Sequence, residues 1–144
     1  MPVISFEVVT PEGLTWQEEV HSVILPTAEG EIGVLANHEP LVTIIKPGVI
    51  YIKRTAADSP DHLEHIATAG GFAEIDAKRV RVLADVAERA DDIDEMKAKE
   101  ALERAQEMRR TLKDEVALAD AMGLIELNLA RLKVAELRRR RHVR

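Results

Sequence analysis

Apolar residues in roughly the first 85 positions come in short runs, broken by Gly, Pro, Asn and Asp. That is the pattern of tightly turned strands rather than helices. Val3 to Val9 leads into the turn Thr10-Pro11-Glu12-Gly13. Glu19 to Leu25 alternates and predicts one strand, with Val20, Ser22 and Ile24 on one face and His21, Val23 and Leu25 on the other. Ile32 to Leu35, Leu41 to Ile45 and Val49 to Ile52 predict three more. They are separated by the turn-forming clusters Ala36-Asn37-His38-Glu39-Pro40 and Lys46-Pro47-Gly48. Arg54 to Asp61 reads as a mobile hairpin tip. Leu63 to Thr68, Gly71 to Ile75 and Val80 to Ala84 follow as strands, and Gly70-Gly71 marks a bulge or a close backbone approach. About eight to ten short strands at this spacing predict an antiparallel β-sandwich or flattened barrel.

At about Ala87 the period changes from two to three and four. Asp91-Asp92-Ile93-Asp94-Glu95 supplies an acidic helix start, with Asp92 and Glu95 spaced as in a capping box. Ala98, Ala101, Ala105, Met108 and Leu112 then form one helical stripe. A second start falls at Lys113-Asp114-Glu115, where Asp114 can cap. Leu118, Met122, Ile125, Leu129 and Leu132 predict the seam of the second helix. The short polar joint makes the two an antiparallel helical hairpin. The predicted fold is α+β, with a sandwich over residues 1–87 and a hairpin over residues 88–144. Helices of about 20 residues would each reach roughly 30 Å. An alanine stripe contributes little, since a buried CH₂ is worth about 0.8 kcal/mol against 1.5–3 for a whole Leu side chain. Gly123 inside the second helix costs up to about 1 kcal/mol relative to Ala. The predicted hairpin is therefore weakly held, and a partner can displace it.

Composition narrows the class. The chain of 144 residues is 46% hydrophobic and 32% charged, that of a globular protein. No run approaches the ~20 apolar residues that span a bilayer, so no direct membrane insertion is expected. The start MPVISFEVVT reads as a strand and lacks the basic start and apolar core of a secretory signal. The absence of Cys excludes disulfides, Cys nucleophiles and thiolate metal sites. Four aromatics, Phe6, Trp16, Tyr51 and Phe72, leave little stacking surface for nucleic acid. The net charge of −6 is unevenly spread. Residues 1–90 carry 14 acidic and 7 basic groups, whereas residues 121–144 carry 2 acidic and 7 basic ones. An acidic body with a basic tip points to an acidic protein partner for the tip.

The segments EGEIGVLANHEPLVTIIKPG (Glu29–Gly48), ATAGGFAEI (Ala67–Ile75), VRVLADVAERADDID (Val80–Asp94) and RLKVAEL (Arg131–Leu137) carry a resemblance that covers nearly the whole chain. In these segments, and in the order of its parts, the chain resembles the ε subunit of the F-type proton-translocating ATP synthase. Where the family has Pro-Gly before the His, this chain has Ala36-Asn37; Asn tolerates a left-handed turn, so the bend is expected to survive. The resemblance implies a rotor subunit without an active site, with no catalytic residues and no metal site. It implies docking of the sandwich on the γ subunit and the rotor ring, Glu31 facing the ring and His38 lying near the γ and ring contacts. The hairpin is implied to fold against the sandwich or extend along γ and block ATP hydrolysis. Its basic end, Arg138, Arg139, Arg140 and Arg141, would then meet an acidic segment of the catalytic β subunit. The implied location is peripheral, on the cytoplasmic face of a bacterial cell membrane.

Some family members bind ATP in the folded hairpin through Ile/Leu-Asp-x-x-Arg-Ala. This chain reads Ile93-Asp94-Glu95-Met96-Lys97-Ala98, with Lys97 in place of the Arg, and Leu127 where another basic residue is usual. The resemblance carries over Asp94, Lys97, Arg104 and Arg131 as the ATP-contacting set. Lys offers a point charge and lacks the planar fork of Arg, which lowers phosphate affinity. No cofactor is required, and ATP enters only as a regulatory ligand. Phosphate-loop, dinucleotide, zinc-protease and nucleophile-elbow motifs are all missing. His62 and His65, beside Asp61 and Glu64, read as a solvated pair rather than a metal site. Two readings remain: a structural and regulatory rotor subunit, or a module whose hairpin senses ATP.

Overall fold

A computed structural model describes residues 2–143. Ten strands come first: β1 (Ile4–Thr10), β2 (Gly13–Val20), β3 (Ser22–Thr27), β4 (Gly30–Leu35), β5 (Leu41–Ile45), β6 (Gly48–Lys53), β7 (Glu64–Thr68), β8 (Gly71–Ile75), β9 (Arg79–Ala84) and β10 (Ala87–Arg89). Two helices follow, α1 (Glu95–Thr111) and α2 (Glu115–Val143). The strands pair in the order β10-β7-β6-β3-β5-β8-β9-β1-β2, with β4 on β3. A single pairing, Thr27 with Ile45, joins β3 to β5, so the sheet bends there into two layers. All pairs are antiparallel except β1 with β9.

Period-two alternation places the core. In β1, Ile4, Phe6 and Val8 point inward, and in β6 Ile50 and Ile52 do the same. Phe6 meets the Trp16 ring edge-on at 6.1 Å. The expected single strand over Glu19–Leu25 is instead two, parted at His21. Val20, Val23 and Leu25 are all buried, so the alternation slips by one at the bend. Gly71 is a close backbone approach: a Cβ there would lie 1.9 Å from the Leu83 carbonyl oxygen.

The helix start is set by Asp94 rather than by an Asp92–Glu95 box. Asp94 Oδ1 accepts from the Lys97 amide at 3.1 Å. Asp114 caps α2 as expected, accepting from the Ala117 amide at 3.1 Å. The helices are unequal, with 17 residues in α1 and 29 in α2. In α1 only Ala98 and Ala105 are fully buried; Met108 is 45% exposed and Leu112 lies just past the helix.

The expected seam of α2 is displaced. Met122 and Leu129 are exposed, while Ala121, Ile125, Asn128 and Ala135 are buried, with Leu132 half-buried. A second buried stripe, Leu127, Ala130 and Val134, lies on another side of the same helix. Ala130 and Val134 meet Ala67 of β7, with Val49, Ala90 and Ile93 around them. The helix is therefore covered twice, by α1 and by the outer face of β6 and β7. On the α1 side of that seam the buried residues are the small Ala98 and Ala105. Asn128 is satisfied in that seam, giving Nδ2 to the Leu124 carbonyl at 2.8 Å and accepting from Arg131 Nη1 at 2.9 Å.

Candidate functional site

The expected interface residues Glu31 and His38 do not converge. Glu31 is exposed at the start of β4, opposite Pro26, beside the β3–β4 turn. His38 lies beyond the other end of β4, its Nδ1 2.7 Å from the Glu39 carbonyl oxygen. Asn37 holds the bend before it with φ 67°, and its amide donates to the Ala77 carbonyl at 2.7 Å. The two groups thus mark opposite ends of the sandwich.

At the end of the sandwich near Glu31 lies a surface that the sequence reading missed. Ile44, Phe72, Leu83, Val9 and Leu14 occupy paired positions on β5, β8, β9, β1 and β2, on the outer face of one layer. Ile44, Phe72 and Leu14 are each more than half exposed. Val42, on the same face of β5, is 71% exposed. A contiguous apolar row across five strands marks a contact surface. The signal was present in Leu41–Ile45, where both parities are apolar although only one can face the core.

The hairpin covers the outer face of the other layer, and side chains from both units line two clefts there. One, of about 560 Å³, is lined by Asp94, Lys97, Arg104 and Arg131 together with Glu88, Asp92 and Glu100. All four residues carried over as an ATP set thus share one wall. Their chemistry is partly committed. Asp94 caps α1, and Arg131 donates Nε and Nη2 to Glu88 of β10. Four acids, Glu88, Asp92, Asp94 and Glu100, face three bases, which leaves the cleft at −1.

The basic run meets the chain's own acids. Arg138 Nε is 3.2 Å from Asp91 Oδ1, and Arg139 pairs with Glu95 of α1. Arg140 pairs with Glu136 one turn back in α2. Arg141 Nη1 reaches Glu64 Oε1 at 2.6 Å, the oxygen that Arg54 Nη1 also approaches at 2.9 Å. Burial pushes the Glu64 carboxyl up, but the hydrogen bonds and charges of Arg141 and Arg54 outweigh it and hold the pKa below its ordinary value. His65, expected as half of a solvated pair with His62, is instead buried beneath α2, edge-on to Tyr51 at 5.2 Å. His62 is exposed and sits on Ser59.

The fold is thus of the α+β class, a two-layer sandwich with a helical hairpin docked on one face. Residues 3–90 match the family model described as ATP synthase, Delta/Epsilon chain, beta-sandwich domain. The ATP synthase epsilon chain of Herpetosiphon aurantiacus is 40% identical over 138 residues, covering 96% of this chain and 98% of that protein. The ATP synthase epsilon chain 2 of Ralstonia nicotianae is 37% identical over 141 residues, covering 98% and 99%. A chain in the Euglena gracilis mitochondrial ATP synthase (OSCP/F1/c-ring, rotational state 1) superposes with a TM-score of 0.77 at 25% identity, over 94% of this chain and 82% of that one. This chain belongs to the ATP synthase epsilon-chain family. Among the described residues no helix is long and apolar enough to cross a membrane.

Proposed function

We infer that the chain is a non-catalytic rotor subunit of the central stalk, with a division of labour between its two parts. The sandwich couples the γ subunit to the rotor ring, and the hairpin restrains ATP hydrolysis when it leaves the sandwich. The observation that carries this reading is the uncovered apolar row Val9–Leu14–Ile44–Phe72–Leu83, since the hairpin occupies the opposite layer and leaves the row free for γ. Glu31 at one end of the sandwich serves the polar loops of the ring, and His38 at the other lies toward γ. On release, Arg138–Arg141 exchange their internal acids for those of the catalytic β subunit. The complex then lies against the cytoplasmic face of the cell membrane without insertion of this chain. Truncation after Ala90 tests the division. The remaining sandwich should bind γ and support coupling while inhibition of hydrolysis is relieved; a fragment that folds but does not bind γ refutes it.

A second reading is that the hairpin senses ATP. It is supported by the convergence of Asp94, Lys97, Arg104 and Arg131 on one cleft, although Arg131 must first leave Glu88. Mg-ATP titration into the isolated protein should give a saturable signal that Lys97→Ala and Arg104→Ala abolish. No heat or fluorescence change at millimolar ATP removes this reading.

A further inference from the structure

The second cleft lies between the C-terminal end of the hairpin and the sandwich and encloses about 460 Å³. Four arginines from three parts of the fold line it: Arg54 after β6, Arg89 in β10, and Arg138 and Arg141 in α2. The acids in its wall are Glu64, Asp91 and Asp92, so four positive charges face three negative ones, with His65 beside them. Its balance is +1, opposite in sign to the −1 of the Asp94–Arg131 cleft.

The four guanidinium groups are not equally committed. Glu64 holds Arg54 and Arg141, and it is largely buried at 20% exposure. Among the described residues Arg138 pairs only with Asp91, which is 83% exposed and therefore a weak, solvent-screened partner. Arg89 lies flat over the Trp16 ring, 3.6 Å from its centroid. Among the described residues no hydrogen bond or ion pair engages its guanidinium edge. Stacking uses the face of a guanidinium and leaves its planar fork of N–H donors for an acceptor in the same plane.

We propose that this cleft binds a phosphate-bearing anion, held by Arg89 of the sandwich and by Arg138 of the hairpin. A phosphoryl group offers several strong acceptors and suits paired N–H donors from more than one Arg. It supplies the acceptor that Arg89 lacks, and it displaces Asp91, which rehydrates at little cost. Because the donors come from both units, the anion binds only while the hairpin is docked. Occupancy then favours the docked state by mass action, about a hundredfold at a hundred times Kd. Among the described residues the site shares Asp92 alone with the ATP cleft and is opposite to it in charge, and it does not depend on the ATP-sensing reading.

The test uses the full chain. Inorganic phosphate, pyrophosphate and ATP are titrated at constant ionic strength, with chloride as the control. Affinity is read by calorimetry, docking by the melting temperature, and Arg89 by the emission of Trp16, the only Trp in the sequence. The expected result is saturable binding of phosphate or pyrophosphate, a rise in melting temperature and a change in Trp16 emission. Arg89→Gln and Arg138→Gln should each weaken binding at least tenfold, and Lys97→Ala should leave it unchanged. If ATP alone binds but shows the same Arg89 dependence, the anion is a nucleotide and the site stands. Binding that survives Arg89→Gln but is lost in Lys97→Ala belongs to the other cleft and overturns the proposal. So does a response that never saturates or that chloride reproduces.

Discussion

Arg131 in α2 and Glu88 in β10 share a two-pronged contact in which Nε, at 3.0 Å, and Nη2 both donate to Glu88 Oε1. The third guanidinium nitrogen donates to Asn128 Oδ1 at 2.9 Å, so one side chain ties α2, its buried Asn and the sandwich together. The apolar seam nearby is mostly small, built on Ala67, Ala130 and Val134. Polar contacts therefore carry much of the docking.

Arg131→Ala should weaken docking by about 1–2 kcal/mol, between the value of an exposed pair and that of a buried one, since these side chains are 23% and 27% exposed. Hydrogen exchange checks this: amides of α2 should lose protection roughly five- to thirtyfold while those of Ile50 and Ile66 do not change. Equal loss in both regions would mean that the contact stabilises the whole chain rather than the docking.

Docking should weaken in mild acid. Burial pushes the His65 imidazole below its ordinary 6.5; Glu64 opposes this, and Arg141 and Lys133 of α2 add to it. A neutral folded imidazole costs nothing above that value. As pH falls below about 6.5 the undocked chain takes up a proton that the docked form resists, and stability drops. The depressed pKa of Glu64 acts in the same direction at lower pH, because its contribution disappears once the carboxylate is protonated. The urea midpoint of the helical signal should fall between pH 7 and pH 5. His65→Phe, which keeps the edge-on contact with Tyr51, should flatten the upper part of that fall.

Two glycines should respond in opposite ways to Ala. Gly71, at φ 152° and with no room before Leu83, should lose about 3 kcal/mol or more, by strain and by separation of β8 from β9. Gly123 has open space around its would-be Cβ, and Ala there should add up to about 1 kcal/mol to the hairpin. Thermal melts of the two variants are sufficient; a stabilising Gly71→Ala would contradict the backbone approach described.

Phe72, between Ile44 and Leu83 in the apolar row, is 57% exposed. Phe72→Ser should leave the melting temperature within a few degrees and lower affinity for γ by about thirtyfold, the scale of a loss of about 2 kcal/mol at an aromatic anchor. Unchanged affinity by surface plasmon resonance would place γ on another face.

Where one face is buried and the other wet, the sequence reading succeeds. Ile4, Phe6 and Val8 alternate with half-buried or ion-paired neighbours, and β1 is legible from that alone. It fails where burial comes from two directions. In α2 one stripe meets α1 and another meets the sandwich, so the apolar residues nearly encircle part of the helix and their period loses phase. Following the largest side chains then selects Met122 and Leu129, which are exposed, and passes over Ala121 and Asn128, which are buried. The residues carried over for ATP converge in space as a set, but their commitment to Glu88 and to the helix cap depends on tertiary contacts. Arg89 was invisible because its only described side-chain contact is a ring 73 positions away in sequence.

Among the described residues, every side-chain hydrogen bond and ion pair from α2 to the sandwich starts at Arg131 or beyond. The preceding stretch from Glu115 is about 15 residues, or roughly 22 Å of stiff rod. Mechanically this is a lever fixed at one end. A tilt of about 10° at the fixed end would swing the far tip by roughly 4 Å. A tilt of that size at the fulcrum would therefore move the helical turn by more than the length of one ion pair.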